Sequence, residues 1–174
     1  VFVGLDRNGV PRYAALRSPC DGPKAFKREQ AGSDKRHSFC IPPEVRSRRA
    51  AVYEAAPDAL AHMTLEGGRA DKYRLSLGGI YVPQDTSTDR PAKSPAALEA
   101  FLQSHPEVDE LELCMDNDRA GRWAAQNIAK HYSKEYTVTV NLPPIEGYDW
   151  ADMAKEEKEK RAARSRAVCL DREL

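Results

Sequence analysis

The sequence predicts an α/β protein in which helices flank a mostly parallel β-sheet. Two observations support this fold class. From residue 51 onward, short apolar runs alternate with longer segments of helical periodicity, so that a strand followed by a helix occurs four times. Apolar runs also end in acidic residues just ahead of a helix, as expected where a strand reaches the carboxyl edge of a parallel sheet. We therefore expect helices on both faces of the sheet.

A small β-rich appendage is predicted ahead of this sheet, over residues 1–50. Two apolar runs, 1–5 and 11–16, flank Asp6-Arg7-Asn8-Gly9, and Asn-Gly between such runs is typical of a β-hairpin. Residues 17–36 are polar and rich in Gly, Pro, Lys and Arg, which favours a loop. Residues 38–41 are predicted to form a short strand.

The α/β region itself is predicted over residues 51–153, and a charged helix or tail over residues 154–174. Pro57 suits the first turn of a helix, and Ser94 is the expected N-cap of the next one. In chain order the predicted elements are a strand at 51–54, a helix at 57–65, a strand at 73–77, a polar loop at 81–93, a helix at 95–104, a strand at 110–115, a helix at 119–132, a strand at 136–141 and a helix at 150–166.

Composition indicates a soluble globular protein. Of the 174 residues, 41% are hydrophobic and 31% charged, and no apolar run approaches the ~20 residues of a membrane span. The four cysteines are far apart without a C-x-x-C pair, so neither a disulfide framework nor a zinc site is predicted. We expect a cytoplasmic location. Because the chain does not begin with Met, it is interpreted as part of a longer protein.

Charge is unevenly distributed along the chain. Residues 1–50 carry 11 Lys and Arg against 5 Asp and Glu, whereas residues 51–150 carry 9 against 16. A basic leading segment beside an acidic central one fits a phosphate-binding surface next to a metal site. The simpler alternative is a pair of solvated faces.

The principal candidate site is the pair Asp116 and Asp118, which follows an apolar run and precedes a helix. Two carboxylates one residue apart suit a hard divalent cation such as Mg²⁺. The alternative is structural, because Asp118 is also a good helix N-cap and Asp116 a good turn residue.

Other acidic residues are predicted to reach the same edge. Glu54 ends the first strand of the α/β region, and Asp149 and Asp152 begin its last helix. Such a cluster is costly unless a cation neutralises it. Since Mg²⁺ binds one or two carboxylates together with substrate phosphates, the cluster predicts chemistry at a phosphodiester, with Glu54 as general acid or base.

Trp150 lies between these last two aspartates and is predicted to anchor the final helix, with base stacking as the alternative. The histidines at 37, 62, 105 and 131 show no ligand spacing and are interpreted as surface or helix-face residues.

These residues occur in an order that resembles the Toprim domain. The order is Glu54, then Asp58-Ala59-Leu60, then Leu77-Gly78-Gly79, then Asp116-x-Asp118-x-Ala120-Gly121, within about residues 51–153. That Rossmann-like domain is shared by DnaG-type primases, topoisomerases of types IA and II, and related nucleases. The leading hairpin and residues 32–36 resemble the companion segment of Toprim-like proteins of conjugative and mobile elements.

The resemblance implies roles for individual residues. Glu54 matches the family's acid/base glutamate, and Asp116 and Asp118 match its aspartates that bind Mg²⁺ or Mn²⁺. Asp149 and Asp152 resemble a third acidic patch of the primase branch. Gly121 is expected to let its helix approach the sheet closely. The basic residues expected to contact nucleic acid are Lys35, Arg36 and Arg122.

The resemblance also implies an activity. It favours Mg²⁺-dependent nucleotidyl transfer on DNA or RNA with nucleotides as substrates, primase-like, in replication or transfer of a mobile element. The alternatives are a Toprim nuclease, which is a metal-dependent phosphodiesterase, and a non-catalytic nucleic-acid-binding module. A larger parent protein would supply further domains, such as a helicase or a zinc-binding domain.

Overall fold

The computed structural model describes residues 1–18, 22–82 and 93–170, with side chains described as far as residue 166. These residues confirm the predicted α/β fold. The strands are β1 (Phe2–Leu5), β2 (Pro11–Arg17), β3 (Lys27–Glu29), β4 (Cys40–Ile41), β5 (Arg49–Tyr53), β6 (Tyr73–Ser76), β7 (Glu110–Leu113) and β8 (Thr137–Val140). The helices are α1 (Ala56–Leu65), α2 (Ala96–Ser104), α3 (Arg119–Tyr132) and α4 (Trp150–Leu170).

The larger of the two described sheets has the strand order β4-β6-β5-β7-β8. Its last four strands are mutually parallel, and β4 adds an antiparallel edge beside β6. The chain passes from β5 to β6 on one side and then to β7 on the other. Ligands of open α/β sheets bind where the strand order reverses in this way, outside the carboxyl ends of the strands. The fold thus directs attention to the ends of β5 and β7.

Alternate residues of β5 face two separate hydrophobic cores, because successive side chains of a strand point to opposite faces. Ala50 and Val52 pack with residues of α2 and α3, such as Leu98 and Ile128. Ala51 and Tyr53 pack with Ala59 of α1, Trp150 of α4 and Cys114. Helices therefore cover both faces, as the sequence predicted.

A group of buried charges lies between α1 and the sheet. Lys72 and Arg74 are 2% and 0% exposed. The Lys72 ammonium contacts Glu66 at 2.9 Å and Glu112 at 2.5 Å, and Arg74 contacts Glu66 at 2.5 Å. Each buried cation thus has a carboxylate partner. We call these four residues the neutral cluster.

The predicted loop at 17–36 is wrong in part. It contains β3, which pairs antiparallel with β2, and a short 3-10 helix, Lys35–His37, that Asp34 caps. β3 consists of three exposed charged residues, so it lacks the apolar alternation by which strands are recognised. With β1 and β2 it completes the smaller antiparallel sheet.

Ser94 is not the N-cap of α2. Pro95 occupies that position without a side-chain cap, and the Ser94 hydroxyl instead hydrogen-bonds the hydroxyl of Tyr132 on α3. Most of the polar loop predicted at 81–93 lies outside the described residues, as does the end of the predicted tail. No helix in the described part of the chain is long and apolar enough to cross a membrane.

Candidate metal centre

Glu54 and Asp116 meet at the carboxyl edge of the sheet. Glu54 follows β5 directly, and Asp116 lies three residues beyond the end of β7. The backbone N–H of Asp116 donates to Oε1 of Glu54 at 3.3 Å. Two acidic residues that are 62 positions apart in the chain are therefore neighbours in space, as the parallel order of β5 and β7 requires.

Gly121 confirms the expected close approach of α3. A Cβ atom at this position would lie 2.1 Å from the carbonyl oxygen of Asp116 and 2.7 Å from Oε1 of Glu54. Because the first of these is a backbone atom, the clash could not be relieved by rotating a side chain. Only glycine lets the first turn of α3 lie against both acidic residues.

Asp118 and Asp149 cap the two helices that begin at this edge. Oδ1 of Asp118 accepts from the backbone N–H of Gly121 at 2.7 Å, and Oδ1 of Asp149 accepts from that of Asp152 at 2.7 Å. The N-cap interpretation of Asp118 is therefore confirmed. Capping occupies one carboxylate oxygen, and the second keeps its capacity as an acceptor or a ligand.

Asp152 is placed differently from the other acidic residues. Its carboxylate receives Lys155 at 3.3 Å, one turn along α4, and its side chain is 41% exposed. Of the five metal ligands predicted from the sequence, it is the one paired with a cation on its own helix.

Asp58 is a member of this acidic group that sequence analysis missed as a site residue. It lies in the first turn of α1, is 3% exposed, and its Oδ1 atom has no hydrogen-bond partner among the described residues. Burial, followed by the charge of Asp149, raises the pKa of Asp58 to about 6. The available signal was its spacing from Glu54, which places it where a helix begins beside the end of a strand.

Burial and mutual repulsion raise the pKa values of the acidic residues at this edge. Burial, with Asp118 and Asp58 nearby, raises the pKa of Glu54 to about 7. Burial and the charge of Glu54, ahead of those of three aspartates, raise the pKa of Asp116 to about 8. A nearby cation would lower these pKa values, so the raised pKa values show that the charge of these carboxylates is not compensated by the surrounding residues. We call Glu54, Asp58, Asp116, Asp118 and Asp149 the acidic cluster.

The acidic cluster fits a hard divalent cation. Oδ1 of Asp116, like that of Asp58, is buried without a hydrogen-bond donor in the described part of the structure. Within the same residues, no three acidic, imidazole or thiol side chains form a complete ligand set. A cation here would therefore take one or two carboxylates and fill its other positions with water or phosphate, as Mg²⁺ does.

A cleft of about 380 Å³ opens beside the acidic cluster, between the smaller sheet and the first turn of α1. Its wall combines apolar surface from Phe2 and Leu16 with basic residues Arg17, Lys27 and Lys35. Although burial dominates both groups, the charge of Lys27 acts to lower the pKa of Glu54 and of Asp58. The cleft thus brings positive charge to one side of the acidic cluster.

The three predicted nucleic-acid contacts lie in different places. Lys35 lines the cleft and donates to the carbonyl oxygen of Gly78 at 2.9 Å. Arg36 pairs with Asp34 through three hydrogen bonds of 2.7–3.0 Å, outside that cleft. Arg122 donates to Asn117 and to Glu146, at 2.9 and 3.0 Å. A phosphate could displace Glu146, whose side chain is 80% exposed.

Trp150 anchors α4, as predicted from the sequence. Its ring is 6% exposed, and its Nε1 donates to the carbonyl oxygen of Cys114 at 3.2 Å. A ring buried to this extent has no free face for a nucleobase, so the base-stacking alternative is wrong.

Comparison with known protein families matches residues 51–154 to the family described as Toprim-like. Among solved structures, the fold is similar to the primase fragment of the bacteriophage T7 primase-helicase protein, with a TM-score of 0.59 and 14% sequence identity. The match covers 93% of this chain and 60% of that fragment. A comparison with curated proteins gives no match. Since the family match spans more than half of the sequence, the chain belongs to the Toprim-like family.

Proposed function

We propose that this protein catalyses Mg²⁺-dependent nucleotidyl transfer on a nucleic acid, in the manner of a primase. The observation that carries the proposal is the pairing of Glu54 with Asp116 at the edge of the sheet, where burial and mutual repulsion raise both pKa values to about 7 and 8. Carboxyl groups in this condition bind a divalent cation in place of protons.

Particular residues take the binding and proton-transfer roles in this proposal, and Glu54 takes part in both. Asp116 and Asp118 hold the cation, with Glu54, Asp149 and Asp152 as further acidic ligands, directly or through water. When bound, Mg²⁺ (or Mn²⁺) neutralises the charge that develops on a reacting phosphate. Glu54 acts as the general acid or base, taking a proton from an attacking hydroxyl and releasing it again.

The cleft supplies the nucleotide-binding surface in this proposal. Lys27, Arg17 and Lys35 bind phosphate oxygens, and the apolar wall around Phe2 and Leu16 receives the base or ribose. Lys27 acts on the pKa of both Glu54 and Asp58, which supports a phosphate position between the basic residues and the cation.

Two alternatives share the same residues. A Toprim-type nuclease would use the acidic cluster to hydrolyse a phosphodiester. A non-catalytic nucleic-acid-binding module is favoured by one observation, namely that no three side chains in the described regions form a ligand set for a metal.

An assay with Mg²⁺ or Mn²⁺, a single-stranded template and labelled nucleotides separates these functions. New oligonucleotides support the primase-like function, shortening of the template supports the nuclease, and binding without turnover supports the module. We expect D116N and D118N to lose at least about 10²-fold in rate, since each removes a charged ligand. D109N is the matched control, because Asp109 pairs with Arg48 at the opposite end of β7. Unchanged turnover in D116N would remove Asp116 from the mechanism.

The biological setting is part of the same proposal. A primase-like activity would serve replication or transfer of a mobile element in the cytoplasm, in a parent protein with further domains such as a helicase or a zinc-binding domain. The likeness to a fragment of a primase-helicase protein supports this setting.

A further inference from the structure

Trp150 connects three segments that carry the acidic cluster. It belongs to the first turn of α4, immediately after Asp149. Its indole N–H binds the carbonyl oxygen of Cys114, two residues before Asp116. Its ring stacks on the imidazole of His62 from α1, with centroids 3.7 Å apart and planes 16° from parallel. A single side chain of α4 therefore contacts both the segment after β7 and α1.

His62 is itself held in one orientation. Nη1 of Arg74 donates to the hydroxyl of Tyr53 at 2.9 Å. That hydroxyl is also hydrogen-bonded to Nδ1 of His62, at 3.0 Å, while Nε2 of His62 lies 3.8 Å from Glu66. The ring is 5% exposed and has little freedom to rotate. His62 is thus a fixed surface on which Trp150 rests.

The stacked pair and two acidic residues occupy neighbouring positions of the same helices. Asp58 lies one helical turn before His62, on the same face of α1. Asp149 adjoins Trp150, and its charge is the largest electrostatic contribution that raises the pKa of Asp58 after burial. The charge of Asp149 repels the Asp58 carboxylate, whereas a backbone hydrogen bond from Ala151, in the first turn of α4, attracts it. The stack of His62 on Trp150 is a second contact between α1 and α4, and it fixes the first turns of the two helices relative to each other.

We propose that His62 and Trp150 are positioning residues of the metal site: they hold the first turns of α1 and α4, and with them the acidic residues Asp58 and Asp149, in place beside the bound cation. The inference rests on the proposed metal-binding function and adds two residues to it. Neither residue touches the cation or the substrate. Their loss is expected to weaken cation affinity, in the way that residues supporting metal ligands do, by about tenfold or more.

The test is the dissociation constant of Mn²⁺, measured by calorimetry on the full chain at a temperature well below each variant's melting point. H62Q removes the aromatic ring but keeps a polar group that can hydrogen-bond the Tyr53 hydroxyl. We expect its dissociation constant to rise about tenfold. H105Q is the matched control, because His105 also stacks on an aromatic ring, that of Phe101 on α2, with centroids 4.2 Å apart. It is expected to bind Mn²⁺ like the parent protein.

Two further variants separate positioning from folding. H62F keeps a ring against Trp150 but cannot hydrogen-bond Tyr53, and we expect it to restore affinity to within about threefold of the parent. W150F loses the bond to Cys114 and is expected to lie between the parent and H62Q. It also replaces H62Q as the test if that variant does not fold.

The possible outcomes distinguish the two proposals. If the parent protein binds no Mn²⁺, the proposed metal-binding function fails. If the parent binds Mn²⁺ and H62Q and W150F bind it equally well, the metal site stands and the positioning role is overturned. Equal weakening in H62Q and H105Q would also overturn it, because the loss would then follow from any broken stack.

Discussion

The neutral cluster and the acidic cluster bury charge in opposite ways. Burial is the largest single influence on Glu66 and on Glu112 and acts to raise their pKa values. The hydrogen bonds and charges of their partners, Lys72 first among them, together outweigh burial, so both carboxyl groups have lowered pKa values. Burial and like charges act together at Glu54 and Asp116, so both have raised pKa values. The two clusters share one domain and its α1 helix. They differ in whether the chain supplies the balancing charge.

This difference separates a structural site from a binding site. A buried carboxylate paired with a buried cation is complete without any ligand. A group of carboxylates without a cationic side chain needs protons or a bound cation to compensate its negative charge. The contrast makes four predictions, given from the largest expected effect to the smallest.

Removing a cation from the neutral cluster should cost the most stability. K72M leaves Glu66 and Glu112 short of a partner, and breaking a buried pair from one side typically lowers the free energy of unfolding by about 3–5 kcal/mol. Urea denaturation measures this loss. R48M breaks an exposed pair with Asp109 and is expected to leave stability almost unchanged. Equal effects of the two substitutions would contradict the distinction between the clusters.

Removing a charge from the acidic cluster should raise the free energy of unfolding, whereas removing one from the neutral cluster lowers it. D116N removes a repelled charge and is expected to raise the free energy of unfolding by about 1–2 kcal/mol at pH 8, while abolishing cation binding. A variant that is less stable than the parent at pH 8 would show that the Asp116 carboxylate is already compensated.

The pH dependence follows from the raised pKa of Asp116. The folded protein holds this proton up to pH about 8, whereas the unfolded chain releases it near pH about 3.9. Folding is therefore favoured at low pH, and this contribution to stability is lost as the pH rises from about 4 to 8. The advantage of D116N over the parent should disappear below pH about 4. Melting curves of both proteins across this range measure it.

Adding a divalent cation should stabilise the protein by a smaller amount. At a Mg²⁺ concentration ten times its dissociation constant, binding to the folded state alone contributes about 1.4 kcal/mol. The melting temperature should rise in the parent protein and in R48M, but not in D116N. A rise of equal size in D116N would place the cation away from the acidic cluster.

Much of the fold was predictable because the strands and helices of the α/β region alternate clearly. The convergence of Glu54 and Asp116 followed from one rule, that parallel strands present their carboxyl ends at the same edge. Neither β3 nor the 3-10 helix carries an apolar pattern, so both were missed.

Contacts between segments that are distant in the chain could not be predicted from local sequence patterns. His62 and Trp150 are 88 residues apart, and nothing in the neighbourhood of either indicates the other. Lys72 and Arg74 are residue types that are usually exposed. Their burial depends on carboxylates at the end of α1 and in β7, which no local pattern indicates. The spacing of Asp58 from Glu54 was a sequence signal, but its proximity to Asp149 depends on where α4 begins and could not be predicted from that spacing.

Because residue 121 is a glycine, the first turn of α3 can lie directly against Asp116 and Glu54. A methyl group there would have to move back by at least about 1.3 Å from the Asp116 carbonyl oxygen to reach ordinary contact, and it would carry the start of α3 with it. Displacements of this size in a reactive site typically cost about 10²-fold in rate. G121A would thus widen the gap between the first turn of α3 and the strand ends without altering a single charge. It offers a way to vary the geometry of the centre independently of its electrostatics.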